Sequence, residues 1–332
     1  MGSSAAIPPP LPPEFQAAFR ARADPDDTMS FDRFMALALY HPQLGYYRQS
    51  RVRVGRAPGT DFFTATSSGP LFGELVAAAC VKRLRAAGRD PAAHTWVEIG
   101  AEPDGGGVLA GVPHPFRGAQ TIRLGEPLAL TGECIVFSNE LFDAQPCLRH
   151  VVRRGRWWEL GVALRDGALV EVELDSDVIR APTVRAPEGY HFDQPLAAAA
   201  LADEIASQPW RGLFVAIDYG KTLHELTQAT PGGTARAYYR HTQSNDLLAR
   251  PGEQDLTCHV CWDWIADALK RHGFAAPALD FQESFLIHHA GELIAAISAA
   301  EAAQTSPRKR ALMQLLHAGH LGQKFQVLHA LR

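Results

Sequence analysis

Three short runs of β-branched and aromatic residues, each ending on polar residues, constrain the fold of this chain more than any other feature. They are Thr95-Trp96-Val97-Glu98-Ile99-Gly100, Cys134-Ile135-Val136-Phe137-Ser138 before Asn139-Glu140, and Leu213-Phe214-Val215-Ala216-Ile217 before Asp218-Tyr219-Gly220. Apolar runs of this length suit strands buried on both faces, the habit of parallel sheets covered by helices. Acids or amides at the carboxyl ends of such strands mark the edge where open α/β sheets bind ligands. The expected class is α/β, with a doubly wound, Rossmann-like sheet.

Other segments fall around that sheet. Ser30 is placed to cap a short helix through Phe31, Phe34, Met35 and Leu37, which must end before His41-Pro42. Leu71, Phe72, Leu75, Val76, Ala79 and Cys80 recur at helical spacing and predict a second helix ending near Gly88. Residues 149–174 alternate apolar and polar around Arg154-Gly155 and Asp166-Gly167, which predicts antiparallel hairpins inserted into the α/β core. A strand is expected around Ala237-Tyr238-Tyr239, with helices at 259–272, 290–303 and 307–317. The division expected along the chain is a disordered Pro-rich arm (1–13), a helical region (14–94), a core with its hairpin insertion (95–220) and a cap (221–332).

Composition closes off several functions. A net charge of −4 argues against a broad nucleic-acid or anionic-membrane surface, and no apolar run is long enough to span a bilayer. The first residues lack a basic and an apolar region, so no secretory signal is expected, and Ala6 weakens a myristoylation reading of Gly2. Five scattered cysteines fit a reducing, cytoplasmic setting. Cys258-His259-Val260-Cys261 is a lone pair without the further ligands a zinc site needs, and it reads as part of a helix start. His288-His289 and His317/His320 read as structural or exposed, so no metal is expected. A P-loop and a hydrolase nucleophile elbow are both absent.

What remains is the strand-end set and a series of motifs in order: Leu39-Tyr40-His41-Pro42 with Gly45-Tyr46-Tyr47, Thr60-Asp61-Phe62 with Thr64, Leu71-Phe72-Gly73, Glu98-Ile99-Gly100-Ala101, Asn139-Glu140-Leu141 with Asp143-Ala144-Gln145-Pro146, Asp218-Tyr219-Gly220, Arg240-His241, Arg250-Pro251-Gly252, and Phe325-Gln326-Val327-Leu328. Together, from about residue 30 to 328, they resemble the MidA-like family of class I S-adenosylmethionine-dependent methyltransferases. Mitochondrial relatives of that family serve complex I assembly. The resemblance implies S-adenosylmethionine as cofactor and a protein arginine as substrate or a protein as partner.

On this resemblance Glu140 and Asp143, oriented by Asn139, are the expected catalytic residues. Carboxylates there would converge on a guanidinium and make a nitrogen lone pair available. Glu98, Gly100, Asp61, Thr64 and Glu126 are the expected cofactor residues, Glu126 standing in for a ribose-binding acid. Asp218, Tyr219, His241 and Tyr46 are expected to meet substrate.

One departure matters. Only 38 residues lie between Gly100 and Asn139, among them Pro103, Pro113, Pro115 and Pro127, where the family carries a helix–strand–helix–strand course. One crossover and one strand (Ala119–Leu124) fit; the full set does not. The expected sheet is therefore truncated. Two functions follow: a methyltransferase with a rebuilt pocket, or a non-catalytic relative that keeps a protein-binding face.

Overall fold

The computed structural model describes residues 10–49, 53, 60–61, 69–101, 106–174, 184–301 and 306–332. The chain forms two compact units, each assembled from three stretches: 1–62, 144–198 and 221–261 in one, 63–143, 199–220 and 262–332 in the other. The successive segments expected along the sequence are thus interleaved, because strands distant in sequence pair with one another.

The second unit holds the strand-end motifs. Its strands are β1 (Thr95–Ile99), β2 (Gly118–Ile122), β3 (Gly132–Asn139), β4 (Trp210–Asp218), β5 (Ala275–Phe281) and β6 (Gln326–Leu331). They form one six-stranded sheet in the order β5-β6-β4-β3-β1-β2. The pairs β2–β1, β1–β3 and β3–β4 are parallel, while β6 runs antiparallel to both of its neighbours. Alternate residues Ile135 and Phe137 of β3 and Leu213, Val215 and Ile217 of β4 share one buried cluster with Phe72, Leu75, Val76 and Cys80 of helix Pro70–Ala86 and Phe285 and Leu286 of helix Gln282–Ala300. The intervening Cys134, Val136, Phe214 and Ala216 are buried as well. Burial on both faces is why these strands read as unbroken apolar runs.

Truncation is visible in the topology. The single strand expected between Gly100 and Asn139 is β2, and it is the outermost strand of the sheet. Among the described residues between β1 and β2 there is no crossover helix, only turns at 108–111.

In the first unit, the predicted hairpins are strands Leu148–Arg153, Arg156–Arg165 and Ala168–Leu174, joined by Arg154-Gly155 and Asp166-Gly167 with all four residues at positive φ. That backbone suits the twist of tight two-residue hairpins. Thr28–Ser30 and His191–Gln194 complete a five-stranded sheet. Helix Phe31–Tyr40 forms as expected, although the Ser30 hydroxyl bonds to the Asp32 carboxylate rather than to the helix backbone. The cysteine pair does not start a helix: Val260–Cys261 is a two-residue strand and the helix begins at Trp262. The helix expected at 290–303 begins at Gln282 and is kinked at Ala290.

A buried ion pair fixes the center of this unit. Asp193 accepts from Arg149 Nε at 3.0 Å and from the Ala235 and Thr234 N–H groups. Burial alone would raise its pKa, but Arg149 and those N–H groups outweigh it, and the carboxyl is held below its usual range. Removing one partner of such a pair strands the other charge in the interior. Asp193→Ala is expected to cost about 3–5 kcal/mol in chemical denaturation, whereas Arg271→Ala, at an exposed pair with Asp203, is expected to cost about 1 kcal/mol or less.

Candidate active site

Strand register assembles the site. Glu98 of β1 lies beside Phe137 of β3, and Asn139 beside Ile217 of β4, so the parallel strands end almost level. From β1 the chain leaves toward β2 on one side; from β3 it leaves toward β4 on the other. The strand order therefore reverses between β1 and β3, the position where open α/β sheets bind ligands beyond their carboxyl ends. Gly100 and Asn139-Glu140 flank that reversal, with Asp218 and Tyr219 next along the same edge.

Gly100 is required by its surroundings. Its φ is +84°, and a Cβ there would meet Leu141 Cδ1 at 2.8 Å. Glu98 is buried, and its Oε2 accepts the Val108 N–H at 2.6 Å. A Cβ on Gly107 would strike that same oxygen at 2.5 Å. Desolvation raises the Glu98 pKa against the opposing effect of the Val108 bond. Glu98 thus ties down the turn after β1, and this carboxylate oxygen faces protein backbone rather than an open cleft.

Glu140 sits at φ +53°, a conformation costly for a residue with a side chain. Its N–H continues the ladder to the Ile217 carbonyl at 2.9 Å, and its Oε1 accepts from Asn139 Nδ2 at 2.9 Å. The two side chains are thus in direct contact. Asn139 Oδ1 is buried without a hydrogen-bond partner, an acceptor facing no protein donor. Asp143 is buried, and its own N–H is held by Asp218.

Asp218, expected to meet substrate, is enclosed by protein. It is 0% exposed; Oδ2 accepts the Phe142 and Asp143 N–H groups at 2.8 and 3.2 Å, and Oδ1 accepts that of Tyr219 at 2.7 Å. Desolvation pushes its pKa up to about 7, against the pull of those bonds. It anchors the loop after β3. Tyr219 is half-buried and packs on Phe325, ring centroids 4.2 Å apart. Glu126 stands just beyond β2, where a ribose-binding acid belongs, but its Oε2 accepts the Arg123 N–H at 2.7 Å and closes that turn.

Asp61, Tyr46 and His241 gather in the first unit. Asp61 is 1% exposed; its carboxylate accepts from Tyr46 Oη at 2.8 Å and the Arg240 N–H at 2.9 Å, and its carbonyl accepts the His241 N–H at 2.8 Å. Asp61, expected to meet cofactor, and Tyr46, expected to meet substrate, are buried and bonded to each other. They fasten the turn Arg240-His241, whose residues both have positive φ, between strands Arg236–Tyr239 and Thr242–Ser244. Such turns ordinarily need Asn-Gly; here two long-range hydrogen bonds compensate. His241 itself is exposed, with Nε2 2.9 Å from Thr60 Oγ1. Thr64 lies outside the described residues.

The same region contains a carboxyl to which the sequence resemblance gave no site role. Asp255 accepts from Tyr47 Oη at 2.9 Å, and burial, with Asp61 nearby, pushes its pKa up to about 7.

Comparison with known proteins fits this geometry. Residues 120–278 match a family described as "Putative S-adenosyl-L-methionine-dependent methyltransferase". A COG1565 superfamily member from Burkholderia thailandensis, solved bound to S-adenosyl-homocysteine, is 26% identical with a TM-score of 0.82, the match covering 98% of this chain and 95% of that one. Over residues 120–278 the chain is similar to that methyltransferase family, and over nearly its whole length to the Burkholderia thailandensis structure. A second COG1565 structure from the same organism is 25% identical, with a TM-score of 0.77 and the same coverage. No curated protein matches. The family match begins inside β2 and takes in Asn139, Glu140 and Asp218, but not Gly100. No helix among the described residues is long and apolar enough to cross a membrane.

Two predictions follow from these contacts. Gly100→Ala combines an unfavorable φ with a 2.8 Å contact; it is expected to destabilize the protein by more than about 1 kcal/mol, read as a lowered denaturation midpoint. Asp255, its folded pKa raised to about 7 above an unfolded value of about 4, contributes stability below pH 4 that is lost as pH rises toward 7. Asp255→Asn should flatten the fall in denaturation midpoint between pH 5 and 8 relative to the parent protein.

Proposed function

We propose that this methyltransferase acts on a nitrogen of a protein side chain, an arginine guanidinium in a cytoplasmic protein, with S-adenosyl-L-methionine bound at the reversal between β1 and β3. The single observation that carries the reading is the pairing of Gly100 with Asn139-Glu140 at that point. S-adenosyl-homocysteine bound to the Burkholderia thailandensis relative supports the cofactor.

The residues present fit such a ligand in two respects. Gly100 carries no side chain, so its backbone can approach a ligand closely on the side away from Leu141, which fills the Cβ direction. Asn139 Oδ1 is a buried acceptor lacking a donor, which an amino or hydroxyl group would satisfy. Gly100, the turn held by Glu98, and Asn139 would hold the cofactor, with Glu126 at the ribose position through reorganization of its turn. The cofactor supplies a methyl group activated on a sulfonium.

The chain's own task is then positioning and charge. Glu140, lifted out of the strand by its positive φ and steadied by Asn139, would pair with a guanidinium and accept the proton that the methylated nitrogen releases. Asp218, by pinning residues 141–143, keeps Glu140 in place without touching substrate. Mechanistically it is a positioning residue.

Glu140→Gln keeps the size and the contact with Asn139 but removes the charge. It is expected to lower methyl transfer to arginine-containing peptides at least about 100-fold while leaving calorimetric binding of S-adenosyl-L-methionine within about threefold. Full activity in this variant would reject Glu140. Absence of cofactor binding by the parent protein would favor a non-catalytic binding role.

A further inference from the structure

We propose that Asp280, His289 and His329 form a binding site for one divalent transition-metal ion, with Zn²⁺ the best-matched common ion. The three come from different elements of the second unit: Asp280 from β5, His329 from β6, and His289 from helix Gln282–Ala300. β5 and β6 are antiparallel with Asp280 opposite Val327 and Ala278 opposite His329, so Asp280 and His329 are diagonal neighbors on one face. The helix starts directly after β5, and its side chains lean toward its N-terminus, which turns His289 back toward Asp280. One donor atom from each residue lies within 4.8 Å of the other two.

The donor set is chemically suited to a metal. Two imidazoles and one carboxylate are a recurrent ligand group for zinc and non-haem iron, with the remaining positions left to water. His329 Nε2 and Asp280 Oδ2 are 3.0 Å apart, a separation compatible with two ligands on one ion at about 2.0–2.2 Å each. Burial, with His329 and Arg83 nearby, lowers the pKa of His289 to about 4, and burial lowers that of His329. His329 is buried and its Nδ1 has no hydrogen-bond partner. Asp280 and His289 are half-buried, which leaves an ion a route from solvent. Arg83, whose Nε is also buried without a partner, acts on both imidazoles and opposes a cation there.

The site is separate from the methyl-transfer edge. His329 is opposite Val215 on β4, three residues before Asp218, or about 10 Å back along the strands. An ion there would tie β5 and β6 to helix Gln282–Ala300, immediately before the kink at Ala290.

Equilibrium dialysis of metal-stripped, full-length protein against Zn²⁺, followed by metal analysis, tests the assignment. The parent is expected to take up one saturable equivalent and to melt at a higher temperature when loaded. His289→Ala and Asp280→Asn, both at half-buried positions, should weaken that binding at least about tenfold, while His288→Ala and the double variant His317→Ala/His320→Ala should not. Absence of saturable uptake would overturn the proposal, leaving Asp280–His329 as a structural hydrogen bond. Uptake unchanged in His289→Ala and Asp280→Asn, or lost in the His317/His320 variant, would overturn it equally.

Discussion

A carboxylate removed wholly from water must find its solvation in the protein, and Asp218 finds it in the backbone. Its two oxygens accept three N–H groups, two from the segment after β3 and one from its own strand end. That exchange welds the exit of β3 to the exit of β4. Without it the residues after Asn139 would have unpaired buried N–H groups, each costing about 1–3 kcal/mol. The position of Glu140, the contact of Leu141 with Gly100 and the burial of Asp143 all depend on this anchorage. Asp61 does the same in the other unit, where its carboxylate and carbonyl hold a turn that its own sequence would not favor.

The two acids show that members of a recognizable motif can be bound up in the fold itself. Asp61 and Asp218 sit in motifs that the resemblance picked out, and acids are the expected partners of a cationic substrate. Asp218 accepts from backbone N–H groups, and Asp61 from the Arg240 N–H and the Tyr46 hydroxyl. Whether a carboxylate faces ligand or protein depends on what lies across from it, and for Asp61 that partner is 179 residues away. A linear reading has no access to such a distance.

The elements that were legible share a physical reason. β1, β3 and β4 are buried on both faces and appear as unbroken apolar runs; the hairpins carry Gly at positive φ, where few residues fit. The shortened cofactor half was also readable, since residue count and proline content limit how many crossovers a segment can hold. Harder to read were features set by tertiary contacts: the Arg240-His241 turn, the strand at Val260–Cys261, and the approach of His289 to His329 from elements 40 residues apart in the chain.

Truncation has one more consequence, for the distribution of stability across the sheet. β3 and β4 each have hydrogen-bonded neighbors on both sides, whereas β2 is a five-residue strand paired only with β1 among the named strands. Its side chains are half-buried or exposed. Local opening draws on the least supported elements, so amide hydrogens of β2 should exchange with solvent well before those of β3. The sheet therefore grades from a rigid center to a loosely held margin, and the margin is where Glu126 stands. A ligand that settles there would act as the missing neighbor, lending β2 the protection that a further strand gives elsewhere.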